Sequence, residues 1–311
     1  MSGMKLGLYT DSVSDLGFVE ALDLAVELGL ATVEIATGGQ SSAPHLQLDR
    51  LLEDQGERDR WRGAIAERGL RLEALNCSAF PLHPRIGPAH QEIIRKTMRL
   101  AALLGVDTLI TQSGCPGDSD TARMPNWIVY RWPDENLEVL EWQWERAVGL
   151  WRDLARLAAD CGVQKIAFEL HPLNLAYNVP TLLRMREAVG PIIGANFDPS
   201  HLMWQGMDID ACILALGPAV QHVHIKDTRI NPAALALGGV LDTTAPRGPF
   251  DRPWAFRTPG YGHDALYWRG FLSALRAVGY DGPLSIENED QLAPGVEGVR
   301  KAVAFLRSVE P

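Results

Sequence analysis

The chain has 311 residues, 46% of them hydrophobic, and carries a formal net charge of −10. That length holds one large α/β domain or two ordinary ones, with enough apolar residues for a sizeable core. The acidic balance argues against nucleic acid and anionic membranes as partners, and no apolar run is long enough to span a bilayer.

Strand-like and helix-like runs alternate from end to end. Lys5–Thr10 reads as a first strand and Phe18–Leu28 as a helix with apolar residues at helical spacing. Thr32–Ala36 is a second strand, followed by the polar stretch Gly38–Pro44 and a helix through Arg58–Arg68 that stops at Gly69. Leu72–Asn76 and Thr108–Gln112 are the next strands, separated by a helix through Gln91–Leu104 that ends at Gly105. A Trp-rich stretch leads into a long helix over Glu135–Asp160. Four more strand-like runs follow, with helices predicted over Thr181–Val189, Ile209–Leu216, Asp264–Val278 and Gly295–Val309.

Those last four strands carry the chemistry. They are Ile166–Glu169, Ala195–Asp198, Val220–His224 and Leu284–Glu287. Each is short and apolar, yet ends in a side chain that a buried strand keeps only to coordinate or titrate something. Glu169 and Asp198 stand 29 residues apart, and Asp198 and His224 stand 26 apart. The 63 residues from His224 to Glu287 are too many for one strand-plus-helix unit. Thr228–His263 is rich in Pro, Gly and Asn and reads as an inserted loop, and without it one ordinary unit remains. The count is then eight units, which predicts a single (β/α)₈ barrel over residues 1–311 with a long insertion after strand 7. A doubly wound sheet would want a Gly-rich turn after an early strand, and Asp11–Gly17 has no GxGxxG. In a barrel the four side chains would meet at the C-terminal rim. Three carboxylates and an imidazole suit Mn²⁺, Mg²⁺, Co²⁺ or Zn²⁺.

The strings FELHP (Phe168–Pro172), NFDPSH (Asn196–His201), HVHIKD (His222–Asp227) and LSIENED (Leu284–Asp290) resemble the xylose isomerase-like TIM-barrel superfamily, in particular its bacterial sugar phosphate isomerases/epimerases. The resemblance extends over LNCSAFPLHP (Leu75–Pro84), SGCPG (Ser113–Gly117) and GYGHD (Gly260–Asp264), so it covers nearly the whole chain. It implies that Glu169, Asp198, His224 and Glu287 bind one divalent metal, with Mn²⁺ favoured, and that Glu169 and Glu287 act as acid and base on opposite sides of the substrate. It also implies that His201 orients a substrate oxygen or binds metal, that Lys226 faces the substrate, and that the chain forms a homo-oligomer, since relatives often are dimers or tetramers.

The chemistry explains the residue types. A proton beside a sugar carbonyl is weakly acidic, and a chelated divalent ion stabilises the enediolate formed when a carboxylate removes it. Return of the proton gives epimerisation or isomerisation; loss of a β-oxygen substituent makes the protein a lyase. The leading expectation is a metal-dependent sugar isomerase or epimerase acting on a keto sugar or related polyol. The alternative is a lyase or hydratase of 3-keto sugars or glycosides. An apurinic endonuclease-like nuclease, suggested by Asp198/His201 and His222/His224, and a non-catalytic sugar-binding barrel stand further off.

Other residues keep two readings each. His222 shares the direction of His224 and is a metal ligand or a histidine packed behind the ligands; His171 shares that of Glu169 and is a substrate contact or a loop histidine. Asn76 and His83 would hydrogen-bond sugar hydroxyls or serve as a turn cap and a surface histidine. His263 would reach the site as an acid or cap the helix near Asp264. Trp204 would wall the pocket; Trp142, Trp144 and Trp151 read as core or interface, and Trp127 and Trp132 as part of a lid or platform. Gly38–Pro44 lacks the basic residues of a phosphate cradle. Cys77, Cys115, Cys161 and Cys212 are scattered with no CxxC and read as free thiols. With an N-terminal MSGMKLGLYTD that lacks a secretory pattern, this gives a cytoplasmic expectation.

Overall fold

The computed structural model describes residues 3–244, 246, 248 and 251–309. Eight parallel strands close into a barrel in the order β1–β10–β7–β6–β5–β4–β3–β2. They are β1 (Lys5–Tyr9), β2 (Thr32–Gly39), β3 (Arg71–Ser78), β4 (Thr108–Thr111), β5 (Lys165–Glu169), β6 (Ile193–Phe197), β7 (Val220–Ile225) and β10 (Pro283–Ile286). The remaining pair, β8 (Asp227–Ile230) and β9 (Trp254–Arg257), is an antiparallel ribbon outside the barrel.

The (β/α)₈ expectation is therefore met, with corrections to the pieces. The stretch Thr228–His263 is no plain loop: it contains most of β8, the helix Pro232–Gly238 and β9. The helix expected through Arg58–Arg68 is present as Gln55–Ala66, and a short helix that was not expected, Leu48–Glu53, precedes it. Asp54 caps Gln55–Ala66 by accepting the Glu57 backbone N–H, which also breaks the run between them. Asp198 and Glu287 stand one residue beyond the last residue of their strands. The helix Gly87–Leu104 ends where foreseen, at Gly105, whose φ of 72° is a left-handed conformation that glycine adopts without strain.

Period-two alternation sorts the barrel's side chains. Leu6, Leu8, Val33, Ile35, Leu75, Leu109, Ile166, Phe168, Val223, Ile225, Leu284 and Ile286 are buried in the layer beneath the helices. Trp151, from the helix Glu135–Asp160, meets Phe168 edge-on with ring centroids 4.5 Å apart. Inside the barrel, Ala74, Ile110 and Ala167 form a separate small apolar cluster. Among the described residues no helix is long and apolar enough to cross a membrane. All four cysteines are free thiols.

Candidate metal centre and active site

The barrel interior opposite that apolar cluster is polar. Glu34, in the middle of β2, is fully buried. Its carboxylate accepts from Asn76 Nδ2 at 2.7 Å and from Ser285 Oγ at 2.9 Å. It also faces His222 Nε2 at 2.8 Å and His224 Nε2 at 2.9 Å. Burial alone would favour the neutral acid, but the two imidazoles outweigh it and hold Glu34 well below the usual carboxylate range. This residue was not foreseen in the sequence.

One layer above lie the strand tips. Glu169, Asp198, His224 and Glu287 each offer a donor atom, and these atoms lie within 4.8 Å of one another. His224 links the layers. Its Nε2 is held by Glu34, while its Nδ1 faces Glu287 Oε2 at 3.0 Å. Burial works against the imidazolium here, but Glu34 and Glu287 together raise the His224 pKa well above its ordinary value. Tyr9 stacks on the ring with centroids 5.4 Å apart, which fixes its plane. A histidine that presents one nitrogen to a ligand set while a carboxylate holds the other is the usual bracing of a metal ligand.

The donor set passes the chemical test for a hard or borderline divalent cation: three carboxylates and one imidazole, all converging. Asp198 is fully buried and caps the short helix Pro199–Met203, accepting the Ser200 backbone N–H on Oδ1. Its Oδ2 makes no well-directed hydrogen bond, although Lys226 Nζ lies 2.9 Å away and His201 Nε2 3.2 Å away. Such an oxygen is free to take a metal. Glu34, His222 and His224 form a second converging set. There the Glu34 oxygens are already taken up by Asn76, Ser285 and the two rings, so we read that set as the brace for the first.

Lys226 is the buried counter-charge. Its Nζ reaches Glu287 Oε2 and Glu289 Oε2, each at 2.7 Å. Burial opposes the ammonium, yet Asp198, Glu287 and Glu289 raise its pKa well above the ordinary lysine value. Burial likewise pushes the Glu287 carboxyl up, and Lys226 and His224 overcome it, drawing the group down to about 2. His201 is different. Its Nε2 lies 2.9 Å from Glu169 Oε1, but burial, with His171 beside it, holds the ring well below the ordinary histidine pKa and therefore neutral.

A cavity of about 330 Å³ opens onto this cluster, lined among others by Tyr9, Glu169, His171, His201, Lys226 and Glu287. The structure thus brings together Glu169, Asp198, His224, Glu287, His201, His171 and Lys226. The other foreseen residues lie elsewhere. Asn76 holds Glu34 inside the barrel. His83 Nδ1 accepts the Arg85 backbone N–H at 3.1 Å, a turn contact. Trp204 is buried against Trp254 in parallel stacking, centroids 4.6 Å apart, and does not line this cavity. His263 Nδ1 binds Asp227 at 2.7 Å, and the neighbouring helix is capped by Asp264 instead. Trp144 and Trp151 are core, and Trp132 is exposed. Of Gly38–Pro44, Gln40 and Ser41 line the cavity.

Three comparisons bear on this arrangement. The family model for the xylose isomerase-like TIM barrel matches residues 22–309. A Bacillus subtilis (strain 168) protein, "Uncharacterized protein YfiH", is 42% identical over 308 residues, covering 98% of both chains. Among solved structures, D-psicose 3-epimerase from Clostridium cellulolyticum H10, in a structure with D-tagatose, superposes with a TM-score of 0.64 at 15% identity, covering 98% of each chain. The probable 3-DHS dehydratase AsbF of Bacillus anthracis gives a TM-score of 0.68 at 17% identity, covering 98% of this chain and 99% of that one. At those identities the two structures speak for the fold alone. With the family model spanning nearly the whole barrel, the chain belongs to the xylose isomerase-like TIM-barrel family.

Proposed function

We propose that the protein is a divalent-metal-dependent isomerase or epimerase that moves a proton beside the carbonyl of a keto sugar or related polyol. One observation carries this reading: the Glu169, Asp198, His224 and Glu287 donors converge within 4.8 Å, and the two glutamates among them line a sugar-sized cavity. A cation held by these four side chains would supply Lewis-acid stabilisation of the negative charge that develops on the carbonyl oxygen. Mn²⁺ is the metal we favour, on the oxygen-rich donor set.

The chain's own groups do the rest. Glu287, kept ionised by Lys226 and His224, is ready to accept a proton at Oε1 or Oε2. Glu169, hydrogen-bonded to the neutral His201, serves the opposite transfer. Lys226 keeps a fixed positive charge beside the cavity, where an enediolate would form, and its burial strengthens that field. His171, whose ring meets His201 at 4.3 Å between centroids, lines the wall for substrate hydroxyls. The ligand we expect is a small carbohydrate.

A second reading, elimination of a β-oxygen substituent from a 3-keto sugar, is favoured by the β8–β9 ribbon, whose Phe256 also lines the cavity. One experiment separates the two. The metal-loaded protein is incubated with free ketoses and 3-keto glycosides in deuterated water and followed by NMR. Deuterium entering beside the carbonyl with the substituent retained supports the isomerase or epimerase; release of the substituent supports the lyase. Exchange that survives complete removal of metal by a chelator would overturn both.

A further inference from the structure

A second cavity of about 390 Å³ lies beside the first, between the β8–β9 ribbon and the loop that follows β10. Phe256 and Glu289 line both. We infer that this second compartment binds a second ring attached to the reacting keto sugar, so that the natural substrate is a two-ring molecule such as a glycoside rather than a bare monosaccharide. The inference rests on the proton-transfer reading of the metal centre and adds the substrate class to it.

The walls are aromatic and continuous with the reacting end. Phe256 meets His201 edge-on at 5.2 Å, and Lys226 Nζ lies 4.7 Å from its ring centroid. Trp254 follows, 5.3 Å from Phe256 between centroids, and is backed by Trp204. Ile230 and Leu292 add aliphatic surface, and Gln291 adds a polar group. Aromatic faces with a few hydrogen-bonding groups suit a ring with apolar C–H faces and polar edges.

The lining carries Arg229, Arg252 and Arg257 together with Glu289 and Asp290. Arg257 Nε donates to Asp290 Oδ2 at 3.0 Å, and Glu289 is engaged by Lys226.

The compartment is also built in advance. Asp290 is buried and accepts from Arg257, from the backbone and hydroxyl of Thr258 and from the backbone of Leu292. Asp227, which pairs with Arg257 at this same end of the ribbon, is buried and accepts the backbone N–H groups of Gly260, Gly262 and His263. At Gly262 any Cβ would come within 2.4 Å of the Thr228 carbonyl oxygen, so the close approach requires glycine. The end of the ribbon where Asp227 pairs with Arg257 is thus tied in place, and binding a ring costs little ordering there.

The test compares D-fructose with lactulose, a ketose that carries a second neutral ring, on the metal-loaded full chain. A second pair, methyl and phenyl 3-ketoglucoside, repeats it. Binding is read by quenching of tryptophan emission, which does not require turnover, and deuterium exchange is read separately. The expected result is at least tenfold tighter binding of one two-ring member over its partner. Trp254→Ala should remove that gain, and Leu292→Trp, which fills the compartment from its rim and leaves the ribbon intact, should remove it independently. Equal affinities within both pairs, binding of no compound, or variants that weaken both members in the same proportion would overturn the second compartment. Preserved two-ring preference with no exchange in any compound would instead overturn the proton-transfer reading and leave the ring site standing.

Discussion

The two halves of the barrel interior differ in kind. At one level of β3, β4 and β5 the interior is filled by Ala74, Ile110 and Ala167, the small and branched residues a barrel needs only to be filled, before Asn76 further along β3 joins the polar side. Around β2, β7 and β10 it is filled by Glu34, His222, His224 and Ser285, joined by hydrogen bonds of 2.8 to 3.0 Å. Hydrophobic side chains would fill that space at lower cost, since buried ion pairs seldom repay their desolvation. The polar half is therefore read as support for the cluster directly above it, where His224 is the shared residue. The contrast separates residues that stabilise the barrel from residues that aim the site.

Breaking the polar half at its rim should have the largest effect. Glu287→Gln removes a metal donor and a proton acceptor together, and turnover should fall by about 10²- to 10⁴-fold. Elemental analysis of the same sample separates loss of the ion from loss of the base. Full activity in this variant would remove Glu287 from the mechanism.

Next comes the matched pair that tests the comparison itself. Glu34→Ala leaves His222 and His224 buried without their carboxylate and should cost about 3–5 kcal/mol of stability, with a loss of metal affinity. Ile110→Ala in the apolar half should cost about 2–5 kcal/mol through the cavity it leaves. Its metal affinity should stay unchanged. Denaturant unfolding paired with metal titration checks both, and equal effects on metal affinity would erase the distinction between the halves.

The third prediction sits within one strand. His224→Ala should lower metal occupancy more than His222→Ala, because the His222 ring nitrogen meets Glu34 whereas His224 meets both Glu34 and the rim. The second-layer change should weaken metal binding by about 10- to 100-fold. Equal occupancy in the two variants would mean that the brace and the ligand have been exchanged.

These variants also mark how far the sequence could be read. The rim was legible because each donor ends an apolar run, where a charged side chain has no structural excuse; eight alternating units then imply closure and convergence. Glu34 was hidden because Thr32-Val33-Glu34-Ile35-Ala36 alternates as an ordinary half-exposed strand does, with Glu on the face assigned to water. In a closed barrel that face is the interior, and only closure turns the alternation into a buried carboxylate. The signal was the same spacing seen in His222–His224–Lys226, read on a strand whose polar position is not its last. The ribbon was obscured for another reason. Its strands have four residues each and pair across a long intervening segment, so no local pattern fixes their register. Asn76 finds its partner, Glu34, only through tertiary placement, whereas the His83 contact with the Arg85 N–H is the local turn that the sequence already offered.

The smallest expected effect lies outside the barrel and sharpens the comparison from a third position. Asp290 ties the ribbon to the loop after β10 and touches none of the four donors. Burial raises its carboxyl, but the backbone N–H groups of Thr258 and Leu292, with Arg257, outweigh that and hold it below the usual aspartate range. A carboxyl depressed in the folded state contributes stability that is fully present above its unfolded pKa of about 3.9 and lost as pH falls through the folded value. Asp290→Asn should therefore cost about 1–3 kcal/mol near neutral pH, a charged buried acceptor being replaced by a weaker one. The deficit against the parent should shrink as the solution is acidified below about pH 4, where the parent loses the same contribution. Melting curves across that range check the sign, and metal affinity should not move. A deficit that grows with acid, or a metal site that weakens, would mean that the ribbon and the polar half of the barrel act as one unit.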